Sequence, residues 1–457
     1  MVATEPEMPG VWSRPFTRGR MSLGRWALLS AFGAIGLLLL ALSAARMLDL
    51  VASMLATGDD FTPYWTGATA VAAGQSPYGW LAENRPQEVR DYIYPPLLAL
   101  LLAPLTPLMD YPTARWAWLG FSLLCTILGL ALVWRTSGLT AHGPSALALL
   151  PFLALLPPTM GALGFGQLSP QLFLATAAAY AALRRKRSGT AGALVALAAG
   201  LKSFPAVIGL YLLMRRQWCG CLAALAVAML VAAWSMLVLG PGTLWTYLTA
   251  VIPAQRPWLA AMSNVSFTGL FTRLFSANLF AVPVVVADGV AQGAIAVCSV
   301  AVLSISGYAI WRARRDWRGE SAAFGVAVAA ALLVSPINGT QNLLIAALPL
   351  AVAAAAVQAE WPRHLRWLLL VMLLLSLPVE YCDLAPLRDW CLTEPSGLPI
   401  QAMPWRQGWG NLLTAGPLAG LLVLWGLLVA LCLEPGVCRA PTRADRRHRE
   451  RRSASAL

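Results

Sequence analysis

Apolar runs of membrane-spanning length, separated by short polar or basic intervals, recur along this chain from residue 26 to residue 433. At ~1.5 Å rise per residue, about 20 apolar residues cross the hydrocarbon core as a helix. Residues 26–50 are long enough to cross with tilt. They exceed a signal-peptide h-region and lack a clear cleavage site, so they read as the first span. Further spans are expected near 111–134, 145–163, 167–183, 218–239, 282–311, 320–334, 342–357, 366–377 and 411–433.

Two stretches depart from this pattern. Tyr94-Pro95-Pro96 opens an apolar segment to Met109 that Pro104 and Pro107 break, so it predicts a re-entrant or surface-packed half-helix. Residues 189–214 are apolar but carry basic clusters at both ends, Arg184 to Arg187 and Arg215-Arg216, with Lys202-Ser203-Phe204-Pro205 in the middle. Both ends belong in the cytoplasm, so the segment predicts a hairpin of two short helices turning at 202–205, with Pro205 starting the second arm. Residues 63–91 mix Trp65, Trp80, Glu83, Arg85, Glu88 and Arg90, as expected of short exoplasmic helices whose rings lie at headgroup depth.

Composition supports the pattern. Of 457 residues, 58% are hydrophobic and 12% charged, and the mean hydropathy is +0.66. That excludes a soluble protein of this length. The net charge of +13 does not point to nucleic acid, because the basic residues sit in short clusters between spans and in the tail from Arg439 to Arg452. Such clusters mark cytoplasmic loops. Arg14, Arg18, Arg20 and Arg25 place the N-terminus inside as well. The reading is an all-α polytopic membrane protein with about twelve crossings, counting both hairpin arms. Residues 1–25 form a cytoplasmic tail, 26–433 the transmembrane domain, and 434–457 a basic cytoplasmic tail. Within the domain, 57–93 and 378–410 are the first and last exoplasmic loops.

The eight cysteines are too dispersed for a metal site, since Cys219-Gly-Cys221 lacks two further ligands at useful spacing. Cys382 and Cys391 share the last exoplasmic loop, where oxidation is allowed, and are expected to form a disulfide.

Adjacent carboxylates, Asp59 and Asp60, follow the first span. An acid at the mouth of a span must face water or a polar partner, which makes it a functional hypothesis. Capping a following helix is the plainer role. Under the topology above, Asp59, Asp60, Gln167, Gln171, Lys202, Asn264, Arg273, Asn338, Gln341 and Asn342 all fall on the exoplasmic side. Together they describe a water-accessible cavity with acid, amide and cationic groups. Gln167 and Asn338 equally suit hydrogen bonds between helices, Arg273 could snorkel to headgroups, and Asn264-Val-Ser266 and Asn338-Gly-Thr340 match the glycosylation sequon. Lys202 needs an anion. In this scheme its only acids are the distant Asp pair, and a lipid phosphate is the natural alternative. A phosphate site beside a carboxylate suggests transfer of a group from a phosphorylated lipid carrier.

Several segments occur in an order that resembles the family-87 glycosyltransferases of the GT-C class. They are Asp60-Phe61 with Tyr64 and Gly67-Ala68, Gly74 with Pro77-Tyr78, Tyr94-Pro95-Pro96, Gly166-Gln167, Lys202 with Pro205, Asn264-Val-Ser266 with Arg273, and Ser335-Pro336. These enzymes are multi-spanning and use polyprenyl-phosphate sugars; the chain is similar to mycobacterial mannosyltransferases and arabinofuranosyltransferases. The resemblance implies an inverting transfer of mannose, another hexose or arabinofuranose to a lipid-linked or cell-envelope glycan on the exoplasmic side. It implies Asp60 as the base that takes the acceptor proton, with Asp59 second to it. Lys202 and Arg273 become the cations at the donor phosphate, and Asn264, Gln167, Tyr64, Tyr94, Asn338 and Gln341 line the substrate site. No cofactor is implied, and a divalent metal is left open. Two departures are evident: Gln341 and Asn342 stand where mannosyl members often carry histidine, and Ser169 stands where many members carry asparagine. A secondary transporter or lipid flippase is the alternative from another class. Transporters usually show internal repeats and midplane ion sites, and no convincing duplication is found here.

Overall fold

The computed structural model describes residues 60–83, 88, 91–139, 155–359, 365–377 and 403–434. Span 26–50, Asp59, and the Cys382 and Cys391 pair lie outside the described residues. Those described form an all-helical bundle without a named strand; two isolated bridges, Asn264 with Gly339 and Val282 with Gln407, are the extended contacts among them. Among the described residues, five helical segments are long and apolar enough to cross a membrane: Tyr111–Thr136, Trp218–Leu239, Asp288–Arg312, Trp317–Val334 and Gly408–Leu433. The protein is a polytopic membrane protein.

Helix α1, Phe61–Ala72, follows Asp60 and buries Phe61, Tyr64, Trp65 and Ala68 on one face. These positions recur at the three- and four-residue spacing of a helix side. Trp65 and Trp80 are both buried: these rings pack into the protein. Phe61 stacks on Trp118 at 5.4 Å and Tyr64 meets Tyr94 edge-on at 4.8 Å. Gly67 permits this packing, since a Cβ there would lie 2.5 Å from the Tyr92 ring. Helix α2, Pro96–Leu102, is the expected half-helix and is buried at almost every position.

Helix α3, Tyr111–Thr136, starts where Asp110 accepts from the Thr113 amide at 3.0 Å, a capping arrangement that satisfies one free N–H. Helices α4, Leu156–Gly164, and α5, Ser169–Arg184, are joined by a tight turn. Helix α6, Ser188–Leu201, stops at Lys202, whose backbone is extended; a 3-10 turn, Phe204–Ile208, then leads into α7, Gly209–Met214. Helix α8, Trp218–Leu239, returns against α6. A Cβ on Gly192 would lie 1.9 Å from the Gly220 carbonyl, and one on Gly220 would lie 2.9 Å from the Ser188 carbonyl. The start of α8 therefore touches the start of α6. The chain has turned back on itself between them, as the paired basic clusters predicted.

Helix α9, Phe267–Phe275, is capped by Ser266, and helix α10, Asp288–Arg312, follows a non-helical stretch, so it begins later than the expected 282. Helix α11, Trp317–Val334, is buried on nearly all sides by alanine, valine and leucine and forms the centre of the bundle. A helix apolar all round can occupy only such a place or face lipid. Helix α8 shows the second solution, burying only Gly220 and Ser235. Asp316 caps α11, and Pro336 after Ser335 keeps the chain from continuing as helix. The chain then runs through a 3-10 segment, Thr340–Ala346, into α12, Ala347–Ala359, followed by α13, Leu365–Leu375, and α14, Gly416–Leu433. At the end of the bundle that carries the basic turns, buried Arg215 pairs with Glu320 and donates to the carbonyls of Ile310 and Ala313, while the Tyr211 hydroxyl donates to Glu320 at 2.6 Å.

The close approach of α6 and α8 yields a test. Gly192→Ala must push two backbones apart, at a cost of about 1–3 kcal/mol, and should lower the thermal midpoint of the detergent-solubilised protein by several degrees. Gly189→Ala, whose Cβ would have 3.9 Å of clearance, should leave it nearly unchanged.

Candidate active site

The site is built from helix ends. Helix α4 closes at Gly166, which adopts φ +66°, while the Gln167 amide reaches back to the Ala162 carbonyl at 2.9 Å. This is the glycine-dependent way of ending a helix. Two further bonds hold the turn: Trp118 Nε1 donates to the Gly166 carbonyl at 2.8 Å, and the Asp60 amide donates to the Phe165 carbonyl at 2.9 Å. So fixed, Gln167 Nε2 donates to Asp60 Oδ2. A carboxylate can only accept, so the nitrogen of the Gln167 amide must be the atom facing it.

Lys202 enters from the break after α6. Its Nζ donates to Asn342 Oδ1 at 3.4 Å and lies 5.9 Å from the centre of the Tyr94 ring. Ser169 Oγ donates to the same Asn342 oxygen at 2.8 Å. Burial pulls the Lys202 ammonium down from the usual lysine value to about 8, and the charge of Asp60 opposes the shift. Asp60 is thus near enough to act on Lys202, which corrects the expectation of a distant acid. Asp60 and Lys202 are both half-exposed, whereas Gln167, Ser169, Asn342 and Tyr64 are buried. Gln167 Oε1 and Asn342 Nδ2 have no hydrogen-bond partner among the described residues.

The Tyr94-Pro95-Pro96 stretch supplies one wall. Its carbonyls and those beside it are occupied: Tyr78 Oη donates to Tyr94 at 2.7 Å, Tyr92 Oη to Pro95 at 2.6 Å, Trp80 Nε1 to Tyr92 at 3.1 Å and Gln255 Nε2 to Ile93 at 3.2 Å. A proline-rich chain with few amides to give is held by its acceptors instead.

The second group of expected residues forms its own knot beside the first. Asn264 Nδ2 donates to the carbonyls of Leu259 at 2.8 Å and Pro336 at 2.9 Å, and Asn264 Oδ1 accepts from Ser266 Oγ and the Asn338 amide, each at 2.9 Å. Asn338 Nδ2 donates to the Leu332 carbonyl at 2.9 Å. Both asparagines are 0% exposed, which removes the sequon reading. Arg273 is also buried rather than snorkelling, with Nη1 donating to the carbonyls of Ala261 at 2.8 Å and Asn264 at 3.2 Å. Gln171 bonds across helices to Ser122 at 2.9 Å. Gln341 receives a weak bond from Thr340 at 3.4 Å, and its neighbour Asn342 is the residue that meets Lys202.

The structure therefore brings together Asp60, Gln167, Tyr64, Tyr94 and Lys202, and sets Asn264, Asn338 and Arg273 in the adjoining knot. Reasoning from the sequence missed the pairing of Ser169 with Asn342. Among the described residues, no three His, Cys, Asp or Glu side chains gather where they could hold a metal ion.

Residues 92–336 match the family model of glycosyltransferase family 87. The chain belongs to that family. It is a glycosyltransferase, and the transporter and flippase readings give way. A polyprenol-phosphate-mannose-dependent alpha-(1-2)-phosphatidylinositol pentamannoside mannosyltransferase from Mycobacterium tuberculosis (strain CDC 1551 / Oshkosh) is 26% identical over 83% of this chain and 83% of its own length. A protein of the same description from Mycolicibacterium smegmatis (strain ATCC 700084 / mc(2)155) is 30% identical over 40% of this chain and 43% of its own length. No solved structure matches the chain significantly.

The knot around Asn264 yields a prediction. Asn264→Ala strands buried backbone acceptors at about 1–3 kcal/mol each and should lower thermal stability and activity together. Circular dichroism melts beside transfer assays would separate this from a residue that only touches substrate, whose loss leaves the melt unchanged.

Proposed function

We propose that this glycosyltransferase moves a hexose or arabinofuranose, mannose foremost, from a polyprenyl-phosphate donor to a hydroxyl of a lipid-linked or cell-envelope acceptor, with inversion. One observation carries the reading. A carboxylate, Asp60, and an ammonium, Lys202, share a cluster whose other members are neutral amides, a hydroxyl and aromatic rings. The two relatives named for a polyprenol-phosphate-mannose donor support mannose as the first sugar to try, and their phosphatidylinositol-mannoside acceptor makes a glycolipid the first acceptor.

In this mechanism the acceptor oxygen attacks the anomeric carbon from the face opposite the phosphate, and its proton passes to Asp60. The carbon–oxygen bond to phosphate breaks, and its electron pair leaves with the polyprenyl phosphate, whose charge Lys202 stabilises. A phosphate leaves readily, so no general acid is needed. The Gln167 amide donates to Asp60 and so fixes the direction of its carboxylate. General-base help of this kind is worth ~100-fold or more. Arg273 acts on the phosphate only if its bonds to the Ala261 and Asn264 carbonyls are shared with the donor.

The site lies on the exoplasmic side in this proposal, with about twelve crossings within residues 26–433 and both termini in the cytoplasm, following the distribution of arginine and lysine. In a background without native cysteines, Gln217→Cys should stay silent to an impermeant maleimide added to intact cells and react after permeabilisation. Labelling from outside would invert the topology.

The chemistry is tested by substitutions that fail differently. Asp60→Asn should lower kcat by ~100-fold with donor binding retained. Lys202→Met should weaken donor binding by roughly tenfold or more, the loss of a bond to a charged group. Asp59→Asn should remain active. If it alone abolishes transfer, Asp59 is the base; full transfer by both asparagine variants would make the carboxylates structural and end this reading.

A further inference from the structure

Asn342 is 0% exposed, yet half of its amide is unused. Its Oδ1 accepts from two groups, Ser169 Oγ at 2.8 Å and Lys202 Nζ at 3.4 Å. An ammonium has no lone pair to offer, so the oxygen, and not the nitrogen, must face Lys202. The amide is thereby fixed in one of its two orientations, and Nδ2 has no partner among the described residues. A buried N–H without an acceptor has lost its water without replacement and calls for an explanation.

The surroundings narrow that explanation. Ser169 opens α5 and Asn342 lies in the 3-10 segment Thr340–Ala346, where its own amide donates to the Gly339 carbonyl at 2.9 Å. The two residues are 173 positions apart, and both belong to packed, regular elements. Asp60 is the charged group acting on Lys202, and Tyr94 is the titratable ring beside it. Asp60 is itself engaged by Gln167 Nε2, so the Asn342 amide is the group bonded directly to Lys202.

We propose that Asn342 is a ligand of the donor's phosphate and Ser169 its positioning residue, with Asn342 Oδ1 steadying the Lys202 ammonium while Nδ2 donates to a phosphate oxygen. This rests on the reading above that Lys202 meets phosphate. A neutral amide beside an ammonium gives the phosphate two donors while adding only one charge to the site. Ser169 touches no substrate; without its hydroxyl, the amide is held by Lys202 alone.

The test measures binding of radiolabelled polyprenyl-phosphate-mannose to the full chain in lipid nanodiscs across pH, which needs no acceptor. Wild-type binding should weaken above pH about 8 as free Lys202 loses its proton. Asn342→Leu should weaken binding roughly tenfold at neutral pH, equivalent to about 1.4 kcal/mol. It should also move the alkaline weakening to lower pH, because the ammonium has lost an acceptor. Asn342→Asp should move that limb to higher pH, because a carboxylate supports the ammonium. Ser169→Ala should weaken binding about threefold, within the range of one neutral hydrogen bond, with little shift of the limb. If Asn342→Leu and Ser169→Ala, eluting as folded protein, bind with wild-type affinity and pH dependence while Lys202→Met binds poorly, this inference fails and the phosphate role of Lys202 stands. If Lys202→Met also binds normally, both fail. Should Asn342→Leu not fold, the isosteric Asn342→Asp decides: it lacks the Nδ2 donor and should bind polyprenyl-phosphate-mannose more weakly at neutral pH, and wild-type affinity there overturns the inference.

Discussion

A helix that ends inside an apolar bundle leaves carbonyls and amides that no water can reach, and each must find a partner within the protein. In this chain, side chains provide many of them. Asn264 serves Leu259, Pro336 and Asn338; Trp118 serves Gly166; Gln255 serves Ile93; Arg273 serves Ala261. The breaks at Gly166, Lys202 and Pro336 are the places where polar chemistry can enter, because regular helix uses up its own backbone groups. The site and the irregularities of the fold have one cause.

The two ends of the bundle use charge in opposite ways. Arg215 and Glu320 neutralise each other, and their remaining capacity goes to two backbone carbonyls and the Tyr211 hydroxyl. That arrangement is closed. Lys202, by contrast, has one long bond to an amide and an aromatic ring below it, with Asp60 close enough to be felt but itself bonded to Gln167. A buried pair that satisfies itself holds helices together, whereas charges kept apart by neutral groups keep a field across the space between them.

What the sequence could disclose follows the same division. Charge clusters flanking an apolar run speak locally, so the turn at Lys202 to Pro205 was legible, as were the central helix before Ser335-Pro336 and the broken half-helix after Tyr94. The packing of Trp65 and Trp80 within 63–91 was not legible, because rings at a lipid interface and rings in a protein core share one composition. Only packing against Trp118 and Tyr94 separates them. Asn264 and Arg273 showed as polar residues in apolar surroundings, but a carbonyl clamp and a substrate ligand look alike in a linear chain. The pairing of Ser169 with Asn342 was invisible for a different reason: neither residue bears a local sign of the other. Ser169 was noticed only as a departure from a motif.

Helix α8 turns almost its whole circumference outward and is attached to the bundle through the small residues around Gly220. Lipid tails fit any apolar outline, so on that perimeter one bulky aliphatic residue serves as well as another, and the narrow seam against α6 alone demands a particular size. Divergence between distant members of such a family can therefore collect on the outer ring without disturbing the breaks that hold the polar groups.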